Sequence, residues 1–136
     1  MSFYTDNKTF CTAMTDLFRQ GLALPGVSQS LSQTGLMLHL IATDPAATLA
    51  LNGRSQPPEF TCTASNAKPD FAIHLSADLL HQMLLGQVNV QDAFMAGKLK
   101  LEGPLLRAMS LASHLTDLFR QIETLYPQVL RNHGLL

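Results

Sequence analysis

Ala-Phe-Met-Ala-Gly-Lys-Leu-Lys-Leu-Glu-Gly-Pro-Leu-Leu-Arg-Ala-Met-Ser-Leu runs from residue 93 to residue 111 and changes its periodicity twice. A short helix ends at Gly97, a residue suited to the left-handed C′ position. Lys98 to Glu102 then alternate charged and apolar, the period of a strand with one wet and one dry face. Gly103-Pro104 stops the strand, and Pro104 is expected to open a long helix at N1, where its missing N–H costs nothing. Leu99 and Leu101 are therefore expected to face whatever that helix covers.

The long helix carries Leu105, Ala108, Ala112, Leu115, Phe119, Ile122 and Tyr126 at three- and four-residue steps. Leu111, Leu118 and Leu125 form a second line beside them. The stripe is wider than one shallow sheet contact requires. Pro127 breaks or restarts the helix, and the apolar tail (Val129, Leu130, Leu135, Leu136) is expected to pack rather than float free. Upstream, Ser76 is an N-cap for a helix bearing Leu79, Leu80, Met83 and Leu84 and closed by Gly86. Asn89 caps the short helix, with Asp92 at N3 favouring its dipole.

The first half reads as one helix and four strands. Phe10, Ala13, Met14, Leu17 and Phe18 mark one face of a helix from about Asp6 to Gly21. Residues 22–34, with Pro25, Gly26 and several Ser and Gln, read as a connector. Leu36 to Thr43 is apolar in both alternating rows, which predicts a central strand covered on both sides. Thr48 to Leu51 precedes the turn dipeptide Asn52-Gly53, and Pro57-Pro58 forbids regular pairing. Glu59 to Ala64 alternate, with Phe60, Cys62 and Ala64 on one side, and Ser65 to Pro69 is a polar connection. Phe71, Ile73 and Leu75 make the fourth strand, with His74 on its other face. Thr-Asp-Leu-Phe-Arg-Gln occurs at 15–20 and again at 116–121, without repeated flanks. The sum is a single α+β domain over residues 1–136, its five-stranded sheet covered mainly by helices, with a long C-terminal helix.

Chemistry is sparse. The net charge is −1 and 14% of residues are charged, so nothing neutralises phosphates and nucleic acid is not an expected partner. The N-terminus lacks signal-peptide regions and no apolar run nears the ~18 residues of a membrane span, so a cytoplasmic location is the default. Cys11 and Cys62 form no disulfide framework and no zinc site and read as small buried residues. No nucleophile elbow, phosphate loop or dinucleotide fingerprint is present. His39, His74, His81, His114 and His133 have no zinc-helix spacing. No enzyme, cofactor or metal is expected. Asp78 fits a helix-dipole role, and Asp16 and Asp117 fit solvated helix faces. Lys98, Lys100 and Glu102 form the wet face of the fifth strand, an anionic head group or transient membrane contact being the alternative use of the lysines.

What remains is apolar. Met14 and Leu111 can share one interior with Phe18, Met83, Phe94, Met95, Leu99, Leu101, Leu105, Met109, Leu115 and Phe119. Methionine adapts to irregular shapes, flexible ligands included. A plain core is the alternative for each residue singly. For the set, the missing chemistry and the wide stripe favour a cavity, and the last ten are the candidate lipid-binding residues.

At Ala93–Leu111 the pattern Ala-Phe-x-x-Gly-Lys-Leu-Lys-Leu-x-Gly-x-x-x-x-Ala-Met-x-Leu resembles the sterol carrier protein 2 (SCP-2) family. The likeness extends upstream through Asp70-Phe-Ala-Ile-His-Leu-Ser-Ala-Asp-Leu-Leu and Leu85-Gly-Gln-Val-Asn-Val-Gln-Asp-Ala-Phe, covering about 70–111. Residues 1–69 agree in element order more than in identity. The resemblance implies a five-stranded, mostly antiparallel sheet under helices. It also implies non-enzymatic binding or carriage of a fatty acid, acyl-CoA, sterol or isoprenoid lipid in an apolar tunnel. Some bacterial relatives act as accessory factors in ubiquinone synthesis or as dimerising domains of alkyl sulfatases. The second apolar line, Leu111, Leu118 and Leu125, and the apolar tail point to the alternative, a homodimerisation or accessory module for a partner enzyme, with no ligand of its own. Pro104 and Val90 depart from the family pattern, and residues 112–136 run longer and more apolar than in the small carriers.

Overall fold

The computed structural model describes residues 2–62 and 68–136, and of Leu105 and Met109 the backbone alone. Thr63 and Ala64, and most of the connection expected at Ser65–Pro69, lie outside the described residues. Helix α1 (Asn7–Leu22) begins where the Asp6 carboxylate accepts the Thr9 N–H at 2.7 Å, satisfying one of the orphan donors of the first turn. Its expected apolar face, Phe10 to Phe18, is buried.

Residues 22–34 are not a connector. They contain helix α2 (Pro25–Thr34), with Pro25 in its first turn and Gly35 ending it at φ +60°. Val27 and Leu31, one turn apart, are buried, and α2 packs on the long helix α5 (Leu105–Glu123). Two apolar residues suffice to dock a short helix on a covered site, so Ser and Gln at its other positions masked the period.

The sheet has order β3-β2-β1-β4-β5, with β1 Met37–Thr43, β2 Ala47–Asn52, β3 Glu59–Thr61, β4 Phe71–Ser76 and β5 Lys100–Glu102. All neighbours are antiparallel except β1 and β4, which are parallel. The register sets Leu49, Leu40, Ile73 and Leu101 in one row across four strands. β1 is central, as expected, but the helical layer covers one face only. Leu38, Leu40 and Ala42 join the main core, whereas Met37 on the other face, with Ala50 and Ala72, is buried outside it. Both rows of β1 are apolar because a central strand is shielded by its neighbours' side chains even on an open face. His39 lies on that face at 6% exposure, its Nε2 without a partner among the described residues. Burial pushes its imidazole pKa down. His74 Nε2 is 3.2 Å from the Glu102 carboxylate, near enough for an ion pair but misaligned for a hydrogen bond.

Ser76 Oγ accepts the Leu79 N–H and starts α3 (Ala77–Leu84), and Asn89 Oδ1 accepts the Asp92 N–H and starts α4 (Val90–Met95). Gly97 follows α4 at φ +73°. Pro104 is the N-cap of α5, not N1: its φ of −65° suits a helix, but its ψ of 120° is still extended. Gly103, at φ +153°, lies against Phe71, whose ring would sit 2.3 Å from any Cβ placed there. Only glycine lets the chain turn from β5 into α5 so close to the sheet.

The chain ends are pinned together. Tyr4 and Tyr126 hydroxyls are 2.5 Å apart, and His81 Nδ1 is 2.6 Å from Tyr126 Oη. Phe3 stacks on the His81 ring at 3.8 Å and donates its N–H to Asp78 at 2.8 Å. Asp78 thus holds the N-terminal strap besides serving the helix dipole. Burial pushes the Tyr4 phenol up to about 12, raises Tyr126 too, and lowers His81. Pro127 restarts the chain as α6 (Tyr126–Asn132), where Val129 and Leu130 are fully buried, while Leu136 is exposed. Asp16 is not a free solvated group: it accepts from Gln20 and pairs with His133 at 2.9 Å.

Cys11 and Cys62 are joined in a disulfide, with Cα atoms 5.6 Å apart, so the reading of two separate buried thiols is overturned. Spacing in sequence carries no sign that α1 lies across the end of β3. Closing 51 residues of chain should restrict the unfolded state, and we expect reduction, or Cys11→Ser, to lower the unfolding free energy by about 2–4 kcal/mol. Urea titrations with and without reductant measure it; coincident curves would show that the bridge does not form.

The pH dependence has a defined sign. His39 and His81 have folded pKa values below their unfolded value of about 6.5, so their contribution is complete above that pH and is lost as pH falls. Asp70 is held low by the Met37 N–H and by Arg54, and Asp16 by Gln20 and His133. These carboxylates add a second loss below about pH 4. The urea midpoint should therefore be flat at neutral pH and fall in two stages, and a midpoint that rose on acidification would contradict the burial of both histidines.

Candidate functional site

Where β4 and β5 meet α5, the layers do not close. Leu40, Ile73 and Leu75 of the sheet, with Leu99 and Leu101 on and beside β5, form a floor. Met83 of α3 and Val90, Gln91, Phe94 and Met95 of α4 form one wall. Ala108, Leu111, Ala112, Leu115 and Phe119 of α5 form the roof. The cavity measures about 440 Å³.

The reason for the gap is local. Ala108 and Ala112 stand one turn apart on the inner side of α5, where larger side chains would reach the floor. Leu115 and Phe119 close the far end. At the near end Phe94 is 52% and Met95 84% exposed while both line the cavity, so α4 is its mouth. Gln91 is the polar side chain among the described lining residues. No ionisable group faces the space among them, so the arrangement offers apolar burial and one amide rather than acid–base or nucleophilic chemistry. Among the described residues no group of three His, Cys, Asp or Glu is placed to hold a metal. No described helix is long and apolar enough to cross a membrane.

Of the ten candidate residues, the structure gathers Met83, Phe94, Met95, Leu99, Leu101, Leu115 and Phe119 around this cavity. Phe18 is elsewhere: it stacks on Phe60 at 4.7 Å, because α1 packs over β2 and β3 rather than β4 and β5. Its copy in the repeated hexapeptide, Phe119, does line the cavity, so the two copies have unlike surroundings. The side chains of Leu105 and Met109 lie outside the described residues. The floor residues Leu40, Ile73 and Leu75 were missed as site residues, since strand order cannot be read from alternation. Ala108 and Ala112 were seen in the stripe, but their smallness was the overlooked signal.

The second apolar line of α5 is not a free surface. Leu111 and Leu118 are 2% and 5% exposed, and with Val27 and Leu31 they belong to the contact with α2. The breadth of the stripe thus has two causes, a helix on one flank and a cavity on the other.

Comparison with known proteins agrees with this geometry. The sequence matches the SCP-2 sterol transfer family over residues 28–116. No curated protein matches it significantly. Sterol carrier protein 2 from Yarrowia lipolytica, in its apo form, superposes with a TM-score of 0.63 at 19% identity, covering 81% of this chain and 89% of that one. The sterol carrier protein domain 2 of Helicoverpa armigera gives 0.59 at 22% identity, covering 79% and 85%. The ubiquinone synthesis protein UbiJ-SCP2 gives 0.62 at 14% identity, covering 83% and 95%. The mixed five-stranded sheet under one helical layer is the fold of these carriers, and with two-thirds of its length inside the matched region the chain belongs to the SCP-2 sterol transfer family.

Proposed function

We propose that the chain binds the hydrocarbon part of a single lipid in the cavity under α5 and carries it, without chemical change. The cavity between Ala108, Ala112 and the Leu40–Ile73–Leu101 row carries this reading. Its volume lies within the ~300–1,000 Å³ of small-molecule sites and its lining is apolar apart from Gln91. Each CH₂ moved from water into it gains about 0.8 kcal/mol. Discrimination between chains differing by a methylene is then weak. A fatty acid, an acyl-CoA, a sterol and an isoprenoid lipid all satisfy these contacts. The head group would remain at the mouth beside Phe94 and Met95.

An accessory role beside a lipid-pathway enzyme is the second reading, and the likeness to UbiJ-SCP2 favours it. In that role the chain would support the partner by contact, with no ligand of its own. Of the second apolar line that motivates a homodimer, Leu111, Leu118 and Leu125, the first two lie in the contact with α2. The Cys11–Cys62 bridge bears on compartment: it persists in oxidising surroundings, and a cytoplasmic copy would carry two thiols instead.

Native mass spectrometry of freshly purified protein should find one lipid per chain. In titrations with fluorescent fatty acids, affinity should rise about fourfold per methylene until the cavity is full. Ala112→Phe, which fills the roof, should weaken binding by about tenfold or more with the fold intact by circular dichroism. Protein that carries no lipid and binds no fatty acid at micromolar concentration would overturn the proposal.

A further inference from the structure

The Cys11–Cys62 bridge is not sealed in the core. Both residues are half-buried. Both line an open groove of about 600 Å³, bounded by α1, the end of β3 and His133 just after α6. A bridge reached from solvent can be attacked without unfolding the chain, and exposed bridges are the exchangeable ones. The chain has no other cysteine, so exchange at this bridge has no wrong partner within the molecule.

The groove also carries charge. Among its described lining residues the ionisable side chains besides the bridge are Asp16, Arg19 and His133. The Asp16 carboxylate accepts from Gln20 at 2.8 Å and meets His133 Nε2 at 2.9 Å, so both of its oxygens are engaged. Arg19 makes no ion pair among the described residues. An anion entering the groove therefore meets an uncommitted guanidinium beside the sulfur atoms. Nor does the joint depend on the S–S bond alone. Phe18 of α1 stacks on Phe60 of β3 at 4.7 Å, and both rings are buried. That packing keeps α1 on β3 when the bridge is open, and leaves the two sulfur atoms placed to close again.

We propose that Cys11–Cys62 is a thiol–disulfide exchange site for a small anionic thiol of the glutathione class, opened and closed in the folded chain. The small thiolate attacks one bridge sulfur. The S–S bond breaks, a mixed disulfide forms on that cysteine, and the other cysteine leaves as a thiolate that takes a proton from water. A second small thiolate attacks the small-thiol sulfur of the mixed disulfide. It departs as the oxidised dimer of the small thiol, and the second cysteine is released and protonated. The protein gains two electrons and two protons, and two small thiols become one disulfide. Closed, the bridge ties α1 to β3 covalently; open, packing alone does so. The site goes beyond the ligand reading and does not rest on it, since none of the groove residues lines the cavity under α5.

The test is reduction of the oxidised full chain by excess reduced glutathione, without denaturant. Aliquots are quenched in acid, free thiols are capped with a maleimide, and intact masses are read. A species carrying one glutathione should appear and give way to the dithiol, at a rate linear in glutathione and insensitive to low urea. Oxidised glutathione should then restore the bridge, with the circular dichroism spectrum kept throughout. Arg19→Glu should slow the reaction about threefold or more at low salt, and added salt should narrow the difference. Arg19→Gln should give a smaller loss in the same direction. Toward uncharged 2-mercaptoethanol both variants should react more nearly like the wild type than they do toward glutathione. Reduction that levels off with glutathione and accelerates in low urea overturns the proposal, because the bridge then opens only with the fold. So does a wild-type rate in Arg19→Glu, or an oxidised protein whose two cysteines both accept maleimide.

Discussion

Helix α5 packs on α2 along one flank and roofs the cavity along the other with one apolar stripe, and the sizes of its side chains decide how. Toward α2 it offers Leu111 and Leu118, which fill the contact. Toward β4 and β5 it offers Ala108 and Ala112, which do not reach the floor. Protein interiors normally close to crystal density. On the scale of about 24 cal/mol per Å³ of cavity, a void near 440 Å³ would cost on the order of 10 kcal/mol if it were sealed and empty. That rivals the entire stability of an ordinary domain, about 5–15 kcal/mol. The open mouth lowers the figure by admitting water. Even so, a space of this size is held against packing energetics, and a hydrocarbon chain bound there would offset the cost directly.

The structure is firm behind the cavity and slight in front of it. Behind, α3 is tied through His81 and Asp78 to the N-terminal strap and to Tyr126 of α6. The same helix presents Met83 to the cavity, so the pinned chain ends fix one wall. A buried phenol pair is costly unless bonded, and here each hydroxyl has a partner. In front, α4 has six residues, one side-chain cap and two large apolar groups that face both solvent and cavity. Few buried contacts under a short helix define a region of low local stability. A ligand in the cavity would supply the contacts that α4 lacks.

Much of this was legible in the sequence, and the failures share one physical root. Local chemistry spoke clearly: Ser76 and Asn89 cap the helices they precede, Gly97 ends α4, and the alternation of residues 71–75 and 98–102 gives β4 and the neighbourhood of β5. The SCP-2 pattern at 93–111 and upstream supplied the topology that alternation alone could not. Long-range contact was silent. Nothing in residues 22–34 says that Val27 and Leu31 pack beside Leu118, so those residues read as a connector and the line they cover reads as a free face. Nothing near Cys11 announces Cys62. Phe18 and Phe119 carry the same hexapeptide, yet one faces Phe60 and the other the cavity, because their helices cross different strands.

The two alanines show why an apolar cavity hides in plain view. A catalytic centre is announced by residues that cost energy to bury and so need partners. An apolar cavity is made of residues that would sit equally well in a core, and what distinguishes it is volume withheld. In α5 that means Ala at 108 and 112 in a row otherwise filled by Leu, Phe and Ile. The stripe is read correctly as apolar, while the missing methylenes appear only once the register brings Leu40, Ile73 and Leu101 opposite them. Site and core are thus one continuous surface here, divided by side-chain size rather than by polarity. Larger side chains at those two positions would extend the core toward β5 and remove the site without disturbing a single cap, turn or strand.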